Sequence, residues 1–173
     1  MNYLYHLVPE NMQGEILYPL NELKKIYPKA YKEHVKKYED RKYLLKEKVP
    51  FLNCLWNDVL HLTAVNPITI NKTLEEIGFK PPIRKWFKIN PRDLVKDNTL
   101  VFLFERARKI TTKKDYEWFD ISKIKKYSEL SQKTINYYES SYKNNERPLL
   151  FNYVPHILYK GSINISKLEI ITV

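Results

Sequence analysis

One stretch constrains the fold more than any other: Phe51–Pro67, FLNCLWNDVLHLTAVNP, in which Asn53, Asn57, Asp58 and His61 interrupt an otherwise apolar run. Apolar runs go to the interior, where a donor or acceptor without a partner costs about 1–3 kcal/mol. Each of the four polar side chains therefore needs a partner, supplied either by an internal network that fixes one packing arrangement or by a ligand. Two periods compete over this stretch. As one helix, Asn53, Asn57 and His61 form a single stripe, and Cys54, Asp58 and His61 fall close together. As a helix over Phe51–Asp58 followed by a strand over Val59–Val65, Val59, His61, Thr63 and Val65 share a face, and the β-branched residues favour this second reading. Asn66 and Pro67 then supply the N-cap and first position of a helix with Ile70, Leu74 and Ile77 on its apolar side, stopped by Gly78.

The rest of the chain alternates between the two periods. Asn2–Val8 reads as a strand ended by Pro9, with His6 projecting from one face. Tyr31, Val35, Tyr38, Leu45 and Val49 recur at helical spacing among many lysines, with a break near Glu39–Arg41. Ile83, Lys85, Phe87 and Ile89 alternate before an Asn90-Pro91 turn. Thr99–Arg106, TLVFLFER, is apolar on both faces and reads as a central strand. Asp115–Tyr142 reads as two helical pieces, residues 144–148 as a loop, and Leu149–Val154, Ile157–Tyr159 and Leu168–Val173 as strands. With 173 residues, 43% of them apolar, and no internal repeat, the expectation is one α+β domain over residues 1–173.

Glycine excludes whole function classes. Gly14, Gly78 and Gly161 are the only three, too few to write a Walker loop, a dinucleotide fingerprint or a serine elbow. Cys54, the single cysteine, fits a small buried thiol in a reducing compartment, and no run approaches the ~20 apolar residues of a membrane span, so a soluble cytoplasmic protein with no membrane partner is expected. Lys plus Arg outnumber Asp plus Glu by 30 to 20. That excess draws nucleic acid, nucleotides or an acidic protein partner, and it is densest over residues 72–126. A nucleic-acid face would carry Lys85, Lys88, Arg92, Arg106, Arg108 and Lys109, with Trp86 or Tyr116 to stack on bases.

Several segments resemble the ADP-ribosyltransferase-like fold, in particular its RNA 2′-phosphotransferase and DNA-modifying toxin branches. LYHLV, Leu4–Val8, is similar to the first strand, whose His or Arg meets the NAD ribose; the matching residue is His6. VLHLT, Val59–Thr63, with the helix ending at Gly78, resembles the strand that ends in Ser or Thr, which points to Thr63. RKWFKINPRDL resembles the next strand and turn, and RPLLFNYVPHILYKGSINI the strand pair that closes the NAD cleft. The resemblance implies a split, antiparallel-rich sheet with flanking helices, NAD as cofactor, and transfer of an ADP-ribosyl group or a related phosphotransfer to a macromolecule, nucleic acid included. The family's glutamate on the penultimate strand has no match, leaving Glu146 at its entrance, Arg147 as a phosphate contact as in branches without the glutamate, or an inactive site. The whole chain also resembles a small bacterial group sharing WNDVLH and VPHILYKGSI, which implies no activity.

Nicotinamide-ribose chemistry needs an aromatic platform, a partner for ribose hydroxyls and a carboxylate. Trp56 or Tyr5 fits the first, His6 the second, and Asp58 or Glu146 the third. His6, Asp58 and Glu146 are thus the catalytic candidates, and Tyr5, Trp56, Asn57, His61, Thr63, Arg147 and His156 the binding candidates. Cys54, Asp58 and His61 could also meet as metal ligands, but without a paired CxxC or HExxH no metal is expected. The alternative is a noncatalytic basic module for nucleic acid or an acidic protein.

Overall fold

Alternation at the N-terminus produces a strand, β1 (Leu4–Leu7), that buries Leu4 and leaves Leu7 exposed. The fold is seen in a computed structural model, which describes residues 2–105 and 111–173. After β1 come β2 (Ile16–Leu17), α1 (Leu20–Ile26) and α2 (Pro28–His34). A 3-10 stretch, Val35–Leu45, follows and is interrupted at Arg41, at φ −136° and ψ 43°, within the expected break. Next are β3 (Lys48–Val49), β4 (Cys54–Leu55), a 3-10 turn (Trp56–Asp58), β5 (Leu60–Leu62), α3 (Pro67–Ile77), β6 (Lys85–Ile89), β7 (Thr99–Phe102) and β8 (Tyr116–Trp118). The chain closes with α4 (Ile124–Tyr127), α5 (Gln132–Lys143), β9 (His156–Tyr159), β10 (Ile163–Asn164) and β11 (Glu169–Thr172).

The architecture is α+β, and every strand pairing among the described residues is antiparallel. One sheet runs β1-β6-β11 and a second β5-β9-β7-β8, with the small pairs β10-β2 and β3-β4 beside them. The two larger sheets meet at a single bridge, where Tyr5 and Thr63 exchange amide–carbonyl hydrogen bonds of 2.7 and 3.0 Å. That bridge brings His6 on β1 near His61 on β5. Leu4, Leu62, Phe87, Ile89, Val101 and Ile157 belong to one apolar cluster, and Val59, Leu100 and Leu158 to another that includes Tyr38. Helices α3 and α5 pack over a third, around Val65, Ile70 and Tyr138.

Local chemistry accounts for the elements that match the sequence pattern. Asn66 Oδ1 accepts the Ile68 amide at 2.9 Å, Pro67 takes the first helical position, and Gly78 ends α3 at φ 116°, a left-handed conformation that glycine adopts without strain. All four residues of β7 are buried because it lies between β9 and β8.

Four segments differ from their patterns. Phe51–Asp58 is not a helix: Phe51 and Asn53 are left-handed (φ 67° and 47°), and the Trp56 amide donates to the Glu47 carbonyl at 2.8 Å instead of to a residue one helical turn back. Residues 116–118, expected to be helical, form edge strand β8, because Tyr116 pairs with Phe102. Leu149–Val154 is a run of turns rather than a strand, with Tyr153 left-handed at φ 61°. The strand expected over Thr99–Arg106 stops at Phe102; Phe104 is left-handed at φ 48°, and Arg106 lies outside the described residues.

Candidate histidine cluster

The WNDVLH segment organises itself. Asp58 Oδ2 accepts the Leu55 amide at 2.7 Å, closing the 3-10 turn, and Asp58 Oδ1 accepts from Asn21 Nδ2 at 2.7 Å, tying the turn to α1. With the turn closed, the Trp56 carbonyl accepts from His61 Nε2–H at 2.9 Å, and the two rings lie 4.6 Å apart. The edge of Phe102 on β7 meets the Trp56 ring at 5.4 Å.

Strand pairing then assembles three half-buried histidines. His156 opens β9 opposite Phe102, placing its ring 6.3 Å from that of His61 and 6.2 Å from Trp56. Phe104 and Phe151 flank His156 at 5.6 and 6.2 Å, and Tyr153 sits 5.6 Å from Phe104. His6 acts electrostatically on His61 from β1. Each ring has one nitrogen tied to a backbone carbonyl: His6 Nδ1 to Leu7 at 2.6 Å, His61 Nε2 to Trp56, and His156 Nδ1 to Val154 at 2.7 Å. A carbonyl only accepts, so those nitrogens carry the protons, and His6 Nε2, His61 Nδ1 and His156 Nε2 present lone pairs.

The surrounding charge is cationic. Burial holds His6 down at about 4, and the Lys37 ammonium pushes the same way. Burial likewise holds His156 at about 4. His61 is driven well below its ordinary value by burial, then by His156, Lys37 and His6. Lys37 is itself lowered by desolvation and by Arg41, whose Nη2 donates to the Lys37 carbonyl at 3.2 Å. The rings are therefore neutral at pH 7, and the lysine charge acting on His6 and His61 is that of Lys37; neither of the hollows of about 170 and 380 Å³ is lined by a histidine.

Of the expected site residues, His6, Trp56, His61 and His156 come together. The others do not join them. Asp58 spends both carboxylate oxygens holding the turn. Tyr5 alternates with His6 and so faces the opposite side of β1, on a separate hollow of about 170 Å³ with Asn2, Ala64 and Ser128. Thr63 is buried, its hydroxyl oxygen accepting the Val65 amide at 3.1 Å. Glu146 and Arg147 are exposed in the loop after α5, where Arg147 acts on Arg84. Asn57 is 1% exposed, and neither Oδ1 nor Nδ2 has a hydrogen-bond partner among the described residues. Trp56, expected as a stacking platform, is 8% exposed under His61 and Phe102, so it positions His61 and offers no open face.

The sequence reading missed Lys37, Phe104 and Tyr153. Lys37 is one of nine lysines between positions 24 and 48, with nothing local to single it out. Phe104 and Tyr153 are marked only by left-handed backbones, a conformation that bulky side chains adopt at a cost of about 1–3 kcal/mol and that clusters at functional sites. The expected nucleic-acid face loses its stacking groups, because Trp86 and Tyr116 are 2% and 5% exposed; Arg106, Arg108 and Lys109 lie outside the described residues. Among the described residues no group of three or more His, Cys, Asp and Glu is arranged to hold a metal ion, and no helix is long and apolar enough to cross a membrane. Comparison with protein-family models, curated proteins and solved structures gives no match to this chain.

Proposed function

We propose that the histidine cluster binds a nucleotide, NAD or a close phosphorylated relative, and that the chain transfers part of it to a macromolecular acceptor. The observation that carries this reading is the convergence of His6, His61 and His156, each with one nitrogen tied to backbone and the other presenting a lone pair, beside the Lys37 ammonium. A nucleotide offers what such a cluster recognises: phosphate charge for Lys37, and ribose hydroxyls that donate to a neutral imidazole. His6 Nε2 is the ribose acceptor in this scheme, in keeping with the resemblance of LYHLV to the first strand of ADP-ribosyltransferase-like proteins. Phe104 and Tyr153, with rings 5.6 Å apart and tilted by 43°, supply aromatic surface beside His156 for a base.

NAD, when bound, supplies the group to be transferred. The neutral histidines can take a proton from an acceptor hydroxyl at an open nitrogen, and the aromatic walls exclude water. No carboxylate belongs to this set, which favours the phosphotransfer mode, in which cations steady phosphate charge, over chemistry built on a glutamate. The same observation favours a second reading, a noncatalytic nucleotide-binding module, because Asp58 holds a turn and Glu146 lies in an exposed loop.

Calorimetric titration with NAD tests the reading. His6→Asn keeps a donor toward the Leu7 carbonyl but, being shorter, leaves no acceptor at the Nε2 position, so the expected loss is one hydrogen bond, ~1 kcal/mol or about fivefold in Kd. No heat at millimolar NAD overturns the proposal. Binding without release of nicotinamide in the presence of RNA, DNA or protein acceptors leaves the noncatalytic module.

A further inference from the structure

A second hollow, of about 380 Å³, is lined in part by Lys48, Phe51, Asn53, Cys54, Thr112 and Lys113 and shares no residue with the hollow beside Tyr5 or with the histidine cluster. Its volume falls in the range of small-ligand sites, which begins at about 300 Å³. Two large aromatics stand beside it in solvent: Phe51 is 50% exposed and Trp118, on edge strand β8, is 45% exposed, with ring centroids 6.0 Å apart. Phe51 and Asn53 have left-handed backbones, φ 67° and 47°, in the turn that joins β3 to β4.

The charge here is positive: Lys160 Nζ donates one hydrogen bond, to the Leu52 carbonyl at 2.9 Å, which leaves two ammonium protons for other acceptors. Lys113 Nζ lies 5.8 Å from the centre of the Phe51 ring, and the Lys160 charge reaches the Cys54 thiol in the wall. Neither Lys48 nor Lys113 has a carboxylate partner among the described residues. The carboxylates nearby are bound to internal donors: Glu47 accepts from Thr111, Asp115 from Thr112, and Asp58 from Leu55 and Asn21. An apolar protein partner would cover the two rings but leave these ammonium groups desolvated and unpaired. A strand of nucleotides satisfies both, since its bases stack on exposed rings while its phosphates meet the lysines.

We propose that the Phe51–Trp118 pair and Lys48, Lys113 and Lys160 form a binding site for single-stranded nucleic acid. The site is independent of the nucleotide reading of the histidine cluster and stands or falls on its own test. Three phosphate contacts give a log–log salt slope of roughly −2, so raising salt from 50 to 200 mM weakens binding about 18-fold.

Fluorescence anisotropy of a labelled 12-nucleotide thymidylate strand, alone and as a duplex with its complement, measures this directly. The expected result is single-strand binding at least tenfold tighter than duplex binding, with that salt dependence. Each exposed ring truncated in Phe51→Ala and Trp118→Ala should weaken binding about tenfold. Trp56 and Trp86 are buried, so protection of the exposed Trp118 from acrylamide quenching by the strand is a second readout on the unaltered protein. The proposal is overturned by no binding at 50 mM salt, by equal affinity for duplex or for polyglutamate, by binding unchanged in the double variant, or by Trp118 remaining as quenchable in the complex as without it.

Discussion

Acidification from pH 7 to pH 5 should destabilise this fold through His6 and His156. Both rings titrate near 6.5 when unfolded and at about 4 when folded, so between those values the unfolded chain binds more protons than the native one. Stability from this source is complete above the unfolded value and is lost as pH falls through 6.5 toward 4. Linkage gives about 1.8 kcal/mol per ring between pH 7 and pH 5 for such a shift. The rings are only half-buried, and solvent screening reduces this to about 1 kcal/mol each, or about 2 kcal/mol for the pair. Urea denaturation followed by tryptophan fluorescence at pH 7, 6 and 5 measures the loss. The control is the double variant His6→Asn with His156→Asn, which keeps a donor toward the Leu7 and Val154 carbonyls but cannot titrate. Its stability should fall about 2 kcal/mol less than that of the parent chain over the same interval. Identical pH dependence in the two proteins, or a parent chain that gains stability on acidification, would refute the assignment of neutral, desolvated histidines.

Two further substitutions probe the WNDVLH turn. Asp58→Ala removes the carboxylate that accepts from Leu55 and Asn21, and the loss of such a cap should cost about 1–2 kcal/mol in a urea or thermal unfolding series; a change below about 0.3 kcal/mol would mean that the turn is held by packing alone. Asn57→Leu replaces two buried, unpartnered polar atoms with apolar volume of similar size, so its stability in the same assay should equal or exceed the parent's by up to about 2 kcal/mol, whereas a loss above about 1 kcal/mol would show that the amide has a partner.

Much of the local structure was legible because its causes are local. The α3 helix is written in Asn66, Pro67, Ile70, Leu74 and Gly78, each acting within one or two turns of itself. The placement of β7 at the centre of its sheet follows from Thr99–Phe102 being apolar on both faces. Segment 51–58 misled because its apolar spacing suits a helix, while the Glu47 carbonyl and the Asp58 carboxylate, bonding the Trp56 and Leu55 amides, hold it in a hairpin and a single turn. Segment 116–118 became a strand because Phe102 was there to pair with it, a partner that no window around Tyr116 contains.

By itself the sequence determined that His6 projects from an opening strand, that polar groups lie in apolar surroundings between Asn53 and His61, and that no glycine-rich phosphate loop can be built. Only the tertiary structure decided which of those groups come together. Antiparallel pairing set His156 beside His61, the Tyr5–Thr63 bridge brought β1 alongside β5, and the break at Arg41 accompanies a path that carries Lys37 close to two of the rings. Hydrogen bonds over a few residues fix a conformation, whereas convergence of side chains distant in sequence depends on register and sheet order, which arise from contacts between segments that no single stretch of chain encodes.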